Sequence, residues 1–220
     1  YRINGENEVL MDADRFIAAT LAEYAQLQWL YKADTSKIEV IPPGVELSRF
    51  YPIQKDEAKE YVGVAEQNQL LIFVGRIEPL KGIDVLIRAL GLMKDQGVLG
   101  RHRICLSIIG GNPDVSPEQM TQEMARLQAL RKDFGLGNLI AFVGKRDQDS
   151  LPYYYSAAEL VVVPSQYESF GMVALEAMAC GTPVVASQVG GLAFLVQDGL
   201  TGFHVPGDDA EALAEKLTEL

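Results

Sequence analysis

From residue 70 onwards, short apolar segments alternate with longer segments of helical periodicity, and this alternation narrowly limits the folds open to the chain. The strand candidates are residues 70–74, 104–109, 139–143, 160–163, 184–186 and 202–205. The helical patterns are residues 82–93, 117–134, 149–158, 170–179, 192–196 and 209–220, the last with Asp208 as its N-cap. Strands that are apolar along their whole length and separated by helices are typical of a parallel sheet covered on both faces. The sequence therefore predicts an α/β fold with a doubly wound, mainly parallel, six-stranded Rossmann-like sheet.

The first 44 residues have a different pattern. Helical periodicity at residues 6–13 and 23–31 alternates with apolar runs at 15–19 and 37–41, and Pro42-Pro43-Gly44 then interrupts the chain. We expect two helices and a strand in this stretch.

Composition excludes several classes of partner. The chain of 220 residues has a formal net charge of −11, which argues against nucleic acid, because phosphate backbones are bound by clustered lysine and arginine. No apolar run reaches the roughly 18–20 residues of a membrane span, and no signal-peptide pattern is present. Cys105 and Cys180 are expected to be free thiols, although a disulfide between them stays possible. We therefore expect a cytoplasmic protein.

Common catalytic motifs are missing. There is no Gly-x-Ser-x-Gly segment, and the two histidines are His102 and His204, which disfavours hydrolase triads. His-Glu-x-x-His, Cys-x-x-Cys and the Gly-x-x-x-x-Gly-Lys-Ser/Thr phosphate loop are also missing, so no metal site is expected. Gly135-Leu136-Gly137 follows a helical pattern and lacks the third glycine of a dinucleotide fingerprint.

One strand, loop and helix segment points to a specific ligand chemistry. Glu168 lies in the loop after residues 160–163, and Glu176 lies about two turns into a helical pattern that opens at Phe170. Unsatisfied N–H groups of Phe170, Gly171 and Met172 at the helix start would bind an anion, and Gly171 would let the ligand approach the backbone. Two carboxylates beside an anion site suit a ligand with phosphate at one end and hydroxyl groups at the other. A nucleotide sugar has this chemistry.

Three sequence blocks carry a family resemblance. The two glutamates lie in Pro-Ser-x-x-Glu-Ser-Phe-Gly…Glu-Ala-x-Ala-Cys-Gly-x-Pro-Val-Val, beginning at Pro164. Upstream are Val-Gly-Arg-Ile-Glu-Pro-Leu-Lys-Gly at residues 74–82 and Ile-Pro-Pro-Gly-Val-Glu at residues 41–46. In this order they resemble the retaining glycosyltransferases of the GT-B fold, glycosyl transferases group 1. That family includes sucrose and sucrose-phosphate synthases, mannosyltransferases and the mycothiol-pathway N-acetylglucosaminyltransferase.

The resemblance implies a domain assignment and an activity. Residues 1–44 would be the remnant of an N-terminal acceptor domain with the interdomain crossing, and residues 45–220 the C-terminal nucleotide-sugar donor-binding domain. The parent protein would move a sugar from a UDP-, GDP- or ADP-sugar to an acceptor hydroxyl, with the missing acceptor domain as partner, and the fragment alone would be inactive. A nucleotide-sugar binding or regulatory module without turnover is one alternative, and another GT-B enzyme such as a nucleotide-sugar epimerase is the second.

The resemblance also implies roles for individual residues. Arg76 and Lys81 would hold the diphosphate and stabilise the leaving group, Glu168 would contact donor-sugar hydroxyls, and Glu176 would contact the ribose. The segment containing Lys145 would hold the base through backbone contacts, although Lys145 as a plain surface lysine is an open alternative. The expected catalytic residues are Arg76, Lys81 and Glu168. The expected donor-binding residues are Gly75, Arg76, Lys81, Lys145, Glu168, Ser169, Phe170, Gly171, Met172 and Glu176.

The binding edge bears on the cofactor requirement and contains two glycine-rich segments. Because Arg76, Lys81 and the helix N-terminus would supply the positive charge, no metal and no other cofactor are expected. Gly110-Gly111-Asn112 and Gly190-Gly191 follow strands at the binding edge, where they would either line the pocket or only turn the chain.

Overall fold

The computed structural model describes residues 2–99, 103–116 and 118–219. The strands are β1 Phe16–Ala18, β2 Ile38–Val40, β3 Gln69–Val74, β4 Ile104–Ile109, β5 Ile140–Gly144, β6 Leu160–Val163, β7 Val184–Ser187 and β8 Gly202–Val205. The α-helices are α1 Arg2–Asp12, α2 Leu21–Tyr31, α3 Lys55–Val62, α4 Ile83–Asp95, α5 Gln122–Asp133, α6 Leu151–Ala157, α7 Met172–Ala179, α8 Leu192–Leu195 and α9 Ala210–Glu219. Short 3₁₀ turns lie at Thr35–Lys37 and Pro79–Lys81.

The main sheet confirms the predicted architecture. Its six strands have the order β5-β4-β3-β6-β7-β8, and every neighbouring pair is parallel. The strand order reverses between β3 and β6, where Leu71 pairs with Leu160. In open α/β sheets a crevice forms at such a reversal, outside the carboxyl ends of the two strands. This topology therefore places the expected site at the loops after β3 and β6.

The two faces of the sheet are covered by different helices. Phe73 and Val162 belong to the core cluster formed with α4 and α9, whereas Ile72 and Val161 belong to the cluster formed with α6 and α7. Successive strand residues alternate between faces, so strands apolar at every position can bury both sides. Burial on both faces explains why these strands have continuous apolar sequences.

Several predicted boundaries are wrong by a few residues. The helix expected at residues 117–134 begins at Gln122, where Thr121 accepts a 3.2 Å hydrogen bond from the Met124 amide as N-cap. Pro117 lies outside the described residues, as does Leu220 at the end of the last predicted helix. The strand expected at 139–143 spans Ile140–Gly144.

The predicted N-cap of the last helix is also wrong. Asp209 Oδ1, not Asp208, accepts the 2.9 Å hydrogen bond from the Ala212 amide. Asp208 instead has a left-handed backbone with φ of 58° and turns the chain before the helix. Asp and Asn enter this region more readily than most residues because their side chains form local hydrogen bonds.

Helix α3 was not predicted. Its sequence, Lys-Asp-Glu-Ala-Lys-Glu-Tyr-Val, has few apolar residues and so lacks a strong amphipathic pattern. The buried Lys59 stabilises it, donating to the carbonyls of Glu66 at 2.9 Å and Asn68 at 2.7 Å. Glu159 lies 3.2 Å from the same ammonium and also accepts from the Leu70 amide at 2.7 Å. Long-range polar contacts therefore order this segment.

Residues 2–41 form a separate small sheet flanked by helices. β1 and β2 make a two-stranded parallel sheet, with Phe16 opposite Ile38. The helices and the strand expected here are confirmed, although the first helix begins at Arg2 rather than at residue 6. Two large apolar side chains of this part of the chain, Ile17 and Trp29, are exposed.

Within the described ranges, no helix is long and apolar enough to cross a membrane.

Candidate functional site

The loops after β3 and β6 contact each other directly. The Gln166 amide donates a 2.9 Å hydrogen bond to the Leu80 carbonyl. Gly82 has φ of 65°, and a Cβ at this position would lie 2.0 Å from the Pro164 carbonyl oxygen. Only glycine meets both conditions, so Gly82 lets the turn before α4 pack against the loop after β6.

This packing brings Lys81 and Glu168 together. Lys81 Nζ lies 2.6 Å from Glu168 Oε2, and the two side chains are 21% and 19% exposed. A short, charge-assisted contact of this kind is stronger than a neutral hydrogen bond. Two residues 87 positions apart in sequence therefore form one electrostatic unit at the carboxyl edge of the sheet.

The backbone of Glu168 is held from the other side by Gly190 and Gly191. The Gly191 amide donates a 2.9 Å hydrogen bond to the Glu168 carbonyl. A Cβ at Gly190 would lie 1.9 Å from that oxygen, and one at Gly191 would lie 2.4 Å from Phe170 Cα. These glycines permit close backbone packing against the loop. Their role is thus to support the loop that carries Glu168.

Arg76 lies at the same edge but is much more exposed. Its side chain is 78% exposed, and Nη1 lies 2.9 Å from Glu78 Oε1. With Lys145, Gly111 and Asn112 it lines a cleft of about 200 Å³ beyond the carboxyl ends of β3, β4 and β5. Gly111 and Asn112 therefore line a cleft as well as turning the chain. Lys145 is exposed, so its position is compatible both with base binding and with a plain surface lysine.

Gly75 connects the β3 loop to the next strand. Its amide donates to the Ile109 carbonyl at 3.0 Å. A Cβ at Gly110 would lie 1.9 Å from the Gly75 carbonyl oxygen, so the two loops touch through their backbones.

The start of α7 differs from the prediction. The helix begins at Met172 with Gly171 as N-cap, so Phe170 precedes the helix, and its amide is not among the free N–H groups of the first turn. Phe170 is buried, whereas Ser169 and Met172 are exposed. Gly171 has φ of 108°, and a Cβ there would lie 2.6 Å from Leu192 Cδ2. Packing against α8 therefore explains this glycine, and close ligand approach stays a prediction.

Glu176 is the fifth residue of α7, one turn into the helix rather than two, and it is half-buried. Tyr155 Oη donates a 2.7 Å hydrogen bond to Glu176 Oε2. Burial raises the pKa of Glu176 above its usual range, and the hydrogen bond from Tyr155 opposes this effect. Burial likewise raises the pKa of Tyr155, with Glu176 adding to the shift, so the hydroxyl keeps its proton and acts as the donor.

Tyr155 is a site residue that sequence reasoning missed. It is fully buried on α6, and its carbonyl accepts a 2.6 Å hydrogen bond from Thr182 Oγ1. A buried tyrosine usually has a hydrogen-bond partner for its hydroxyl. A tyrosine within a mostly apolar helix could therefore have indicated a polar partner nearby. The identity of that partner depends on how α6 packs against α7.

The described residues also include a buried serine without a hydrogen-bond partner, one histidine and two free cysteines. Ser165 Oγ is buried and has no hydrogen-bond partner among the described residues, although it lies in the loop after β6. His204 Nε2 lies 3.2 Å from the Leu192 carbonyl, and His102 lies outside the described residues. Cys105 and Cys180 are free, as expected.

Comparison with known proteins decides the family. The model of the family described as glycosyl transferases group 1 matches residues 54–220. This chain belongs to that family. A curated relative, D-inositol 3-phosphate glycosyltransferase from Actinosynnema mirum, is 43% identical over 219 residues, which cover 100% of this chain and 52% of the relative.

Solved structures agree with the family and with the fold. Sucrose-phosphate synthase from Thermosynechococcus elongatus matches with a TM-score of 0.86 and 38% identity, over 99% of this chain and 51% of that one. Anabaena Alr3699/HepE, solved with UDP and glucose, matches with a TM-score of 0.84 and 25% identity, over 99% and 56% of the two chains. The same Anabaena protein has been solved with UDP-glucose. The sheet is therefore that of the C-terminal half of the GT-B fold.

The chain spans about half the length of the curated relatives it matches. These group 1 relatives are named as glycosyltransferases, which does not favour the epimerase or the binding-module alternative. The residue roles stay predictions.

Proposed function

We propose that this chain is the donor-binding part of a retaining glycosyltransferase that moves a sugar from a nucleoside-diphosphate sugar to an acceptor hydroxyl. The observation that carries the proposal is the meeting of Lys81 and Glu168 in the crevice between β3 and β6, with Glu176 on the adjoining helix. A cation and two carboxylates suit a ligand that joins a diphosphate to polyhydroxylated groups.

The diphosphate is assigned to Lys81, Arg76 and the start of α7. Lys81 is partly buried, whereas the exposed Arg76 is free to change partner from Glu78 to a phosphate oxygen. Free N–H groups in the first turn of α7 add positive potential. Such fixed groups stabilise the charge that develops on the leaving diphosphate, so we propose that no metal ion is needed.

The hydroxyl-bearing parts of the donor are assigned to the two glutamates. A half-buried carboxylate needs hydrogen-bond donors, and Tyr155 supplies only one to Glu176. Ribose hydroxyls are assigned the remaining acceptor capacity of Glu176. Glu168 lies beside Lys81 and is assigned the hydroxyls of the transferred sugar.

The base is assigned to residues 143–146, which contain Lys145 and comprise the end of β5 and the two residues after it, at the same sheet edge. UDP is the first nucleotide to test, because Anabaena Alr3699/HepE has been solved with UDP and with UDP-glucose. GDP and ADP are the alternatives.

The first 44 residues are proposed to belong to an acceptor domain. A two-stranded sheet is rarely stable alone, and parallel sheets are usually buried on both faces. The β1–β2 sheet has only two strands, and Ile17 on β1 is exposed, so one face of this parallel sheet is uncovered. Further strands of an acceptor domain would complete this sheet. The two free thiols suit a cytoplasmic location.

Isothermal titration calorimetry of the 220-residue chain with UDP, GDP and ADP, in the presence of EDTA, tests the proposal. We expect one nucleotide to bind, more weakly at higher salt, and the Arg76→Ala, Lys81→Ala double variant to lose at least about tenfold in affinity. The Arg88→Ala, Lys132→Ala double variant, which removes two exposed cations from α4 and α5, is the control for lost positive charge. Failure of all three nucleotides to bind, or full affinity in the double variant, would overturn the assignment.

A further inference from the structure

The contact between Lys81 and Glu168 has a consequence for ligand selection that goes beyond the assignment of either residue. Within the described residues, Glu168 is the only hydrogen-bond partner of Lys81 Nζ, at 2.6 Å. By contrast, the buried Lys59 also donates to two backbone carbonyls. Without a ligand, the charge of Lys81 is thus neutralised by the glutamate alone.

A diphosphate that binds Lys81 competes with this glutamate for one positive charge, even though the ammonium has three N–H donors. The carboxylate then shares or loses its cation and faces a ligand of the same charge. Both side chains are about four-fifths buried, so water screens the repulsion less than it does at an exposed pair. Breaking a partly buried ion pair leaves a poorly compensated charge, which lowers the affinity for the ligand that breaks it.

Glu168 has little freedom to escape from this position. Its carbonyl accepts a hydrogen bond from the Gly191 amide at 2.9 Å, and its loop is joined to the Lys81 turn through Gln166 N and Leu80 O at 2.9 Å. The backbone at Gly190 packs against the same carbonyl. The backbone of Glu168 is therefore fixed, and its carboxylate can move only as far as side-chain rotation allows, close to the position of Lys81.

We propose that the Lys81–Glu168 pair makes the site select nucleotide sugars over bare nucleoside diphosphates. A sugar next to the diphosphate brings hydroxyl donors to the displaced Glu168, whereas a bare diphosphate brings none. After sugar transfer those donors leave, Glu168 competes again for Lys81, and the hold on the product diphosphate weakens. This inference rests on the proposed donor-binding function and adds a role for Glu168 as the competitor of the product.

The test compares the affinities of UDP and UDP-glucose for the wild-type chain and for Glu168→Gln by titration calorimetry. Glutamine keeps the size of the side chain but removes the charge that competes for Lys81. We expect Glu168→Gln to bind UDP more tightly than wild type does, and UDP-glucose no more tightly. The dissociation constant of UDP divided by that of UDP-glucose should therefore fall by about tenfold, the size expected for one charged interaction.

Two further variants separate selection from simple loosening of the loop. Glu168→Asp keeps the charge but shortens the side chain, so its ratio should lie between those of wild type and Glu168→Gln. Glu219→Gln removes the same charge from an exposed pair with Lys216 on α9 and should leave the ratio unchanged. A disordered loop would instead weaken both ligands in both Glu168 variants.

The outcomes distinguish this inference from the function on which it rests. If wild type binds UDP but Glu168→Gln binds it equally or more weakly, the inference is wrong and the donor-binding function stands. If wild type binds neither UDP nor UDP-glucose, and GDP and ADP also fail, both are wrong. If GDP or ADP binds instead, the same comparison is made with that diphosphate and its glucose ester.

Discussion

The Tyr155 hydroxyl, buried beneath α7, donates a 2.7 Å hydrogen bond to Glu176 Oε2. This contact holds one carboxylate oxygen, and Oε1 accepts no hydrogen bond from the described part of the chain. The backbone of Tyr155 is held in turn, because its carbonyl accepts from Thr182 Oγ1 at 2.6 Å. Glu176 is therefore oriented with acceptor capacity to spare, as a ribose-binding carboxylate requires.

Tyr155→Phe tests the importance of this orientation. The change removes one hydroxyl and leaves the ring, so we expect UDP affinity to fall by about three- to tenfold while the fold is retained. Calorimetric titration gives the affinity, and circular dichroism checks the fold. Tyr153→Phe makes the same change on the same helix, in a residue that stacks on Tyr61, and should leave affinity unchanged. Equal affinities for wild type and Tyr155→Phe would show that Tyr155 does not position Glu176.

Glu176→Gln should weaken UDP and UDP-glucose to a similar degree, because the ribose is common to both. The loss of a charged hydrogen bond predicts a decrease of roughly ten- to hundredfold for each ligand. Titration of both ligands against wild type and variant measures the two decreases. A decrease confined to UDP-glucose would move Glu176 from the ribose to the sugar end of the donor.

Although Glu176→Gln should weaken ligand binding, it should favour folding at neutral pH. Burial raises the pKa of Glu176, so folding favours the protonated acid, and its favourable contribution is present at low pH and lost as pH rises through the folded-state pKa. Between pH 4 and pH 7 the wild-type melting temperature should therefore fall relative to that of Glu176→Gln. Scanning calorimetry at both pH values measures this difference. If the melting temperature of wild type instead rose relative to that of Glu176→Gln between pH 4 and pH 7, the predicted direction would be wrong.

The sheet and the binding edge were predictable because their signals are local. Continuous apolar strands such as Leu160–Val163 and the helices between them determine the architecture, and the position of Glu168 after a strand places it at the carboxyl edge. The strand order β5-β4-β3-β6-β7-β8 then confirmed where the loops after β3 and β6 meet.

The missed features depend on contacts between distant residues. α3 has a weak apolar pattern and is stabilised by Lys59 and Glu159, which lie 100 positions apart. The Lys81–Glu168 contact and the packing of Gly190 against the Glu168 carbonyl likewise appear only when separate loops meet. The N-cap at Asp209 rather than Asp208 was a choice between adjacent identical residues, which propensity does not resolve.

Glu159→Gln should destabilise the fold without altering the donor site. Burial alone would raise the pKa of Glu159, but hydrogen bonds from Lys55, the Leu70 amide and Lys59 outweigh it, so the pKa is lowered. A lowered carboxylate pKa contributes stability that is present above the unfolded-state pKa and lost as pH falls through the folded-state pKa. Removing the charge leaves Lys59 buried without its counter-ion, so unfolding by urea at pH 7 should show a loss of about 2–4 kcal/mol. The deficit should shrink at pH 3, and UDP affinity under folded conditions should match wild type.

Turnover by the 220-residue chain tests the domain assignment. Correct placement of an acceptor beside the donor contributes much of the rate in a transfer reaction, and the acceptor side is assigned to a domain of which residues 1–44 are only a part. We therefore expect the 220-residue chain to bind its nucleotide sugar but to transfer no sugar. A longer protein that includes the acceptor domain should transfer it, and Lys81→Ala in that protein should lower kcat by about a hundredfold, because the lysine stabilises the leaving diphosphate. Product analysis by mass spectrometry, with donor consumption measured in parallel, follows both proteins. Sustained transfer by the 220-residue chain alone would show that the acceptor site lies within it and that the domain assignment is wrong.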